Sequence, residues 1–509
     1  MALVDAKRDI DLGWVDSAPL LDDLQAGSLR RILNLSAQLP EDWSGMMGPT
    51  TLQEDFGGLR FQLAYMSYAL ALTHVHRLPA APALFQTSFD QLIQKVLSPD
   101  VWSYWHYVST GNGPFNQSLG ELPAEWNPVE KDNIMYSSYV QSMALMYHYL
   151  FRDAKYAKPG ALTFSIDPLF WSLGGKHFAY DERSLNEHLY WMMVERGYLG
   201  IACEPNCVFQ ACTQVPILGF RFHDLIHGTN TASEVTEGYL KAWSEFGVLN
   251  AAGHYNMMVQ ERERAVLNPR EAPWVDFWVG ALMHAWNPEF VKKHYPGQMK
   301  RWIEQGPDET LWVMPDTRLK KDGTRLFSSA RDFGWAAVFA SEVGDEATLR
   351  GLLAYADRFL RPVRTDRSYY YGRHDEAFDA QGRLAAMDPH TGNALLAYAR
   401  LNVPDGLRKL YDGPWTDAHF AEPALIAMNP DLDIRRAWFD VRHNALALTL
   451  ASPASPVKAR LTIANAAGRG EPVLLRDGEP FGNHMHMEMD RLVIEFDFSA
   501  ETTLVLSWA

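Results

Sequence analysis

The sequence predicts a mainly α protein, an (α/α)6 barrel (toroid) followed by a small C-terminal antiparallel β-domain. From about Phe56 to Leu410, apolar residues recur at helical spacing in segment after segment, divided by short Gly, Pro, Asn or Asp punctuation. No sequence repeat of fixed period accompanies them, which favours a closed ring of helical hairpins over a solenoid. Beyond about Asp412 the pattern turns to alternating and β-branched runs. The chain therefore divides into a helical domain, residues 1–411, and a β-domain, residues 412–509.

Taken in order, the helical segments are 59–72, 83–96, 133–151, 184–196, 215–227, 233–246, 274–286, 289–303, 329–343, 347–359 and 390–401. Each shows apolar residues three and four apart, the spacing that lines one face of a helix. The strands are 435–441, 445–450, 459–463, 492–498 and 502–508, each of ordinary strand length. Such a frame hosts unrelated chemistries, so function has to be read from particular residues.

Composition excludes several classes. The chain has 509 residues with 62 acidic and 46 basic side chains, a net charge of −16, and its densest basic cluster is Arg318, Lys320 and Lys321. That is no phosphate-tracking surface, so no nucleic-acid partner is expected. No apolar run approaches the ~20 residues of a membrane span, and the first residues, MALVDAKRDIDLGWVD, intersperse charge where a signal peptide would be apolar. A soluble, cytoplasmic protein is expected.

The three cysteines are too few for a disulfide framework, yet Cys203, Cys207 and Cys212 fall within ten residues of one another. Cys203 is followed by Glu204 and then by Pro205, which resists helix continuation. Thiols beside a carboxylate can donate a proton, accept one or attack as nucleophiles. They can equally be small buried hydrophobes; a zinc site fits poorly, because spacings of four and five match no common pattern. On segment 133–151, Met135, Tyr139 and Met146 share a helical face, either as core or as a wall that offers the Tyr139 hydroxyl to a pocket. His74 with His76 and His484 with His486 read as surface histidines, the second pair on one face of a possible strand.

Four stretches carry a resemblance to a known family: NPVEKDNIMY (127–136), GIACEPN (200–206), the nine-residue step from Cys203 to Cys212, and DLIHGT (224–229), continuing more weakly through NPEF (287–290) and HYP (294–296). With these the chain resembles linalool dehydratase/isomerase over roughly residues 40–410; the β-domain lies outside the resemblance. The resemblance implies an (α/α)6 barrel that needs no cofactor and acts as a lyase or isomerase, a hydro-lyase (dehydratase) or isomerase of alkenol or terpenoid-like alcohols. It carries Cys203, Glu204, Cys212, Phe209 and Met135 onto matching positions. It selects Asp55 as the active-site aspartate, with Asp42 a weaker candidate, and implies a ring-shaped homo-oligomer in which Asp55 acts in trans. The implied catalytic set is Asp55, Tyr139, Cys203, Glu204 and Cys212; the implied substrate-binding set is Phe61, Tyr65, Met135, Tyr136, Phe209 and Trp274.

The departures concern proton chemistry. Tyr139 stands where the family has a histidine, exchanging a side chain of ordinary pKa about 6.5 for one of about 10. Phe61 stands in place of a tyrosine, and another pocket tyrosine, expected near Trp274, has no clear counterpart. The same frame is used by polysaccharide lyases and some glycoside hydrolases, for which the aromatic run 102–107 (WSYWHY) could stack sugar rings; against this, no carboxylate pair suits glycosidic chemistry. A non-catalytic terpenoid-binding protein is the third alternative.

Overall fold

In the computed structural model, residues 11–48, 50, 52–53, 58–111, 113, 116, 118–170, 174–269, 272–313 and 329–508 are described. The fold is mainly α with a C-terminal β-domain. The chain forms two compact units, one of residues 27–71 and 88–413 and the other of residues 1–26, 72–87 and 414–509.

The helices in order are α1 (Gly13–Ser17), α2 (Asp23–Ser36), α3 (Leu59–His76), α4 (Pro82–Val96), α5 (Pro99–Trp102), α6 (Trp105–Val108), α7 (Ile134–Phe151), α8 (Glu182–Glu195), α9 (Gln210–His227), α10 (Thr231–Phe246), α11 (Pro273–Met283), α12 (Pro288–Trp302), α13 (Ser329–Val343) and α14 (Glu346–Phe359). A π-helical turn, Thr391–Leu395, then runs into α15 (Leu396–Leu401), followed by α16 (Gly406–Tyr411) and α17 (Asp417–Phe420).

Composition sorts these helices into layers. α7 and α11 carry buried residues on every side and have no polar face, so they are interior. α7 packs on α9, α9 on α11, α11 on α13, and α13 on the π turn and α15. α3 joins this succession through its Tyr68 hydroxyl, 2.6 Å from Ser142 Oγ on α7. The outer helices bury one stripe each: α8 lies on α7 and α9, α10 on α9, α12 on α11, and α14 on α13. Close approach requires glycine at two inner positions. A Cβ at Gly280 would stand 2.3 Å from the Phe339 ring, and one at Gly392 would stand 2.0 Å from the Tyr371 carbonyl oxygen.

The other unit holds two antiparallel sheets of four and five strands. The expected strands are present at 434–440, 445–450, 457–464, 491–498 and 502–507, joined by four further short ones that begin at Ala424, Val473, Glu479 and Met485. Residues 11–26 also belong to this unit, although the sequence pattern grouped them with the helices. The reason is apolar: Trp14 and Val15 pack against Ala445, Ala447, Leu475 and Val505 of the sheet. His484 is not a strand residue but closes a 3-10 turn and stacks on Phe481, so it does not share a strand face with His486. His74 is not a surface histidine either; it is 2% exposed, stacks on Phe85, and is lowered to about 3 by burial.

One buried carboxyl ties the inner helices together. Glu342 on α13 accepts from the Tyr398 hydroxyl at 2.6 Å, the Asn402 amide at 2.7 Å and the Leu407 N–H at 3.0 Å. Burial raises it from 4.5 to about 7, against the pull of these donors. A raised carboxyl pKa means that the folded state holds the proton more tightly than the unfolded chain. Its stabilisation is therefore full below about pH 4.5 and is lost as pH rises through about 7. Replacing Glu342 by Gln should flatten this dependence, removing a decline on the order of 3 kcal/mol between pH 5 and 8, as measured by denaturant unfolding across that range.

Candidate functional site

The cysteine segment folds as a tight hairpin that feeds a helix. The Cys207 N–H donates to the Glu204 carbonyl at 2.9 Å, closing a turn with Pro205 second and Asn206 third. Asn206 has φ +70°; proline followed by a left-handed asparagine is the signature of a type II turn. The Asn206 side chain is anchored to Asn116 and Glu263. Cys207 opens a short strand, Cys207–Phe209, which pairs antiparallel with Met258–Gln260. α9 begins at the next residue, so Cys212 lies in its first turn. The nine-residue step is thus a turn, a strand and a first helical turn, which folds the two thiols back onto each other.

Cys203 and Cys212 are 9% and 3% exposed. The Cys203 thiol hydrogen-bonds to Cys212, and this bond, then burial, then the charges of Cys212 and Glu204 push Cys203 well above the ordinary thiol range. Burial raises Cys212, with the bond from Cys203 pulling the other way. Both are therefore neutral at physiological pH. Cys207 is pushed up to about 12 by burial and contacts Asn116 instead.

Among the described residues, a cation faces this pair. Arg60 on α3 is buried, with its guanidinium 4.1 Å from the Tyr104 ring centroid and 4.4 Å from that of Phe61. It donates to the Gln53 carbonyl, and its charge pulls both Cys203 and Cys212 downward. The Arg60 charge thus favours the thiolate form of either cysteine, against burial. Tyr104 donates to Asn133 Oδ1 at 2.6 Å. The N–H groups of Asn133 and Ile134, at the start of α7, donate to the Cys203 and Ala202 carbonyls at 3.2 and 3.3 Å. The cysteine loop thus satisfies donors that a helix start leaves free.

Next to the thiols lies an aromatic cluster. Tyr65 is its hub, with ring centroids 5.7 Å from Tyr139, 4.8 Å from Trp335 and 5.4 Å from His390. Its hydroxyl accepts from the Trp278 indole at 2.7 Å. Phe61 touches Tyr139 at 6.0 Å and His390 at 5.6 Å, and Trp278 stacks on Trp335 at 4.7 Å. The charges of Tyr65 and Tyr139 couple to Cys212, so the cluster adjoins the thiol pair. Among the described residues, the Trp335 indole N–H and both His390 nitrogens have no hydrogen-bond partner, while the Tyr139 hydroxyl interacts with that of Tyr65. Each such buried polar atom costs about 1–3 kcal/mol.

Of the residues expected at the site, Cys203, Glu204, Cys212, Tyr139, Tyr65 and Phe61 lie together in this region. Glu204 is half-buried, its charge acting on Cys203, Cys207, Cys212 and Tyr104. Met135 is buried in the first turn of α7 and Phe209 is half-buried where α9 begins. Trp274 opens α11, 5.9 Å from Trp278, with the Arg331 guanidinium over its ring. Tyr136 is engaged elsewhere: its hydroxyl donates to the Val96 carbonyl at 2.8 Å and its ring packs on Phe164. Asp55 lies outside the described residues. The Asp42 carboxylate accepts from the Ser44 N–H in a local turn.

Trp102 and Trp105 are fully buried and so form no sugar-stacking surface. Sequence reasoning passed over Arg60, Trp278, Trp335 and His390, and read Tyr104 only as part of the aromatic run 102–107. Arg60, directly before Phe61 in an apolar helix, was the most visible signal, because a charge there must be buried and paired.

Among the described residues no helix is long and apolar enough to cross a membrane. Solved structures similar to this chain include an α-amylase from Clostridium perfringens, with 10% identity, 75% of this chain and 98% of that chain covered, and a TM-score of 0.41. A heparin-specific unsaturated glucuronyl hydrolase matches with 7% identity, 76% and 96% covered, and a TM-score of 0.43. A family 76 α-mannanase of Bacteroides thetaiotaomicron matches with 10% identity, 77% and 98% covered, and a TM-score of 0.42. A family model described as linalool dehydratase/isomerase matches residues 60–377, a span that contains the thiol hairpin, Arg60, Tyr104 and all of α7, α9 and α11. With more than half of its length matched, the chain belongs to the linalool dehydratase/isomerase family.

Proposed function

We propose that the protein is a cofactor-independent hydro-lyase or isomerase, which removes water from, or isomerises, an alkenol or terpenoid-like alcohol. The observation that carries this reading is the pair of neutral, mutually hydrogen-bonded thiols, Cys203 and Cys212, between a carboxylate, a buried guanidinium and an aromatic cluster. The succession of inner helices, each backed by an outer one, supports the (α/α)6 barrel as its frame.

Hydroxide is a poor leaving group, so dehydration needs a proton delivered to oxygen and another taken from carbon. In this proposal one thiol protonates the hydroxyl as the C–O bond breaks and water leaves. The carbon-bound proton is taken either by the thiolate so formed, directly or relayed by the second thiol along the Cys203–Cys212 hydrogen bond, or by the Glu204 carboxylate, which then hands it to that thiolate. Either route restores two neutral thiols and the carboxylate. Arg60 stabilises the thiolate, while the rings of Phe61, Tyr65 and Trp278 keep water from the cationic carbon. Asp55, contributed in trans by a neighbouring copy, and Tyr139 are proposed to hold the hydroxyl. A cytoplasmic setting belongs to the same proposal, since an oxidising compartment would join adjacent thiols.

Two experiments test this reading. Purified protein incubated with prenyl and monoterpenyl alcohols should yield alkene or isomerised alcohol by gas chromatography, with Cys203→Ala and Cys212→Ala each lowering kcat by about 10²-fold or more. Full turnover by both variants would remove the thiols from the mechanism. The raised thiol pKa values also set a pH response: the thiolate appears only as pH climbs through the raised value. Alkylation by iodoacetamide, followed by intact-mass spectrometry, should therefore be slow in the native protein at pH 8 and fast after denaturation. Rapid single labelling at pH 7 would indicate a depressed thiol and contradict the assigned protonation states.

A further inference from the structure

His390 is fully buried, and among the described residues neither of its ring nitrogens has a hydrogen-bond partner. A neutral imidazole carries one N–H donor and one acceptor, so two directed polar groups are turned into an aromatic environment without being used by the protein. Burial, assisted by the charges of Arg331 and Arg60, lowers His390 to about 3 and keeps the ring neutral. The residue is held there deliberately by its backbone. It directly precedes the π-helical turn, a feature that commonly marks functional positions. Thr391 fixes that turn by donating from Oγ1 to the Ala330 carbonyl at 3.0 Å and from its N–H to Asp388 at 2.7 Å. Gly392 lets the turn close against the Tyr371 backbone.

The unused atoms converge. His390, Tyr139 and Trp335 all contact the Tyr65 ring; among the described residues His390 and Trp335 present polar atoms without a partner, and the Tyr139 hydroxyl has that of Tyr65 beside it. Arg60 acts on His390 and on both thiols, which puts the imidazole within the same electrostatic neighbourhood as the proton-transfer pair.

We propose that His390 is a substrate-binding residue that receives the hydroxyl of a small apolar alcohol, with Tyr139 and Trp335 completing the polar end of the site. This deepens the proposed function and rests on it for the identity of the ligand as an alcohol. His390 lies outside the segment matched by the family model, so this assignment concerns residues of this chain alone. One nitrogen of the neutral ring engages the hydroxyl, as N–H donor to its oxygen or as acceptor of its proton according to the tautomer, while the hydrocarbon body lies on Phe61 and Tyr65. No bond is made or broken at the imidazole.

The test compares the parent protein with His390→Phe, His390→Met and His390→Asn by thermal unfolding, with a prenyl alcohol or the hydrocarbon of the same skeleton as probe. The parent should gain more from the alcohol than from the hydrocarbon. His390→Phe should melt no lower than the parent without ligand, lose the alcohol-specific gain, and show a KM for the alcohol raised about tenfold or more. His390→Met gives the same comparison with a side chain that adapts to the space, and His390→Asn, which keeps a donor and an acceptor, should recover part of the gain. Retention of the alcohol-specific gain by His390→Phe or His390→Met overturns the inference, as does a parent that gains nothing specific from any alcohol. Turnover by the parent with unchanged KM in His390→Phe sinks this assignment and leaves the proposed chemistry standing. An alcohol-specific gain abolished in His390→Phe, without turnover of any alcohol by the parent, sinks the chemistry and keeps the binding site.

Discussion

The site depends on one backbone contact, in which the carbonyls of Ala202 and Cys203 accept the first N–H groups of α7. α7 starts without a side-chain cap, and its Asn133 has a left-handed backbone with φ 58°. Such a start is tolerable only if something else takes the free donors. The cysteine loop does so, and is thereby held against the helix that carries Tyr139. Asn133 secures the junction with its side chain, receiving Tyr104 and donating to the Pro128 carbonyl. The helix terminus and the cysteine loop each meet a need of the other, so the position of the thiols is a by-product of hydrogen-bond satisfaction.

The electrostatics follow from that placement. A thiol pair beside a carboxylate would be driven toward neutrality even on a surface; buried, it is driven further. Arg60 is the counterweight, and its burial beneath Tyr104 and Phe61 keeps it from being screened by solvent. The aromatic cluster on the far side contributes polar atoms rather than charge. The two groups adjoin at Arg60, which lies against the Phe61 ring and whose charge acts on His390 and on both thiols.

Much of the fold was legible in the sequence, because helices that must bury a face show it as a period. Segment 329–343 coincides with α13, and the others differ from their helices mainly at the ends, as for 215–227 against Gln210–His227. There the first turn holds Cys212, and Pro216 sits inside the helix, so neither composition nor proline marked the true start. The short hairpins within the helical unit were not visible, since three-residue strands carry too little alternation. At the site, the thiols were legible because cysteines so close together are unusual in a chain otherwise lacking them. His390 was not, because its significance lies in partners it lacks, and that is a property of three dimensions. Tyr136 stood in the substrate-binding set that the resemblance implied, yet its hydroxyl is taken by Val96.

The contact at the start of α7 also bears on how the protein folds. Its donors and acceptors are separated by roughly seventy residues of chain, including all of α7, α8 and the intervening hairpin. Local helix formation cannot supply it, so the first turn of α7 stays unsatisfied until α9 and the cysteine turn have come back to meet it. The thiol pair is therefore coupled only once these distant segments meet, and a nascent or partly folded chain carries its three thiols without the geometry that couples them.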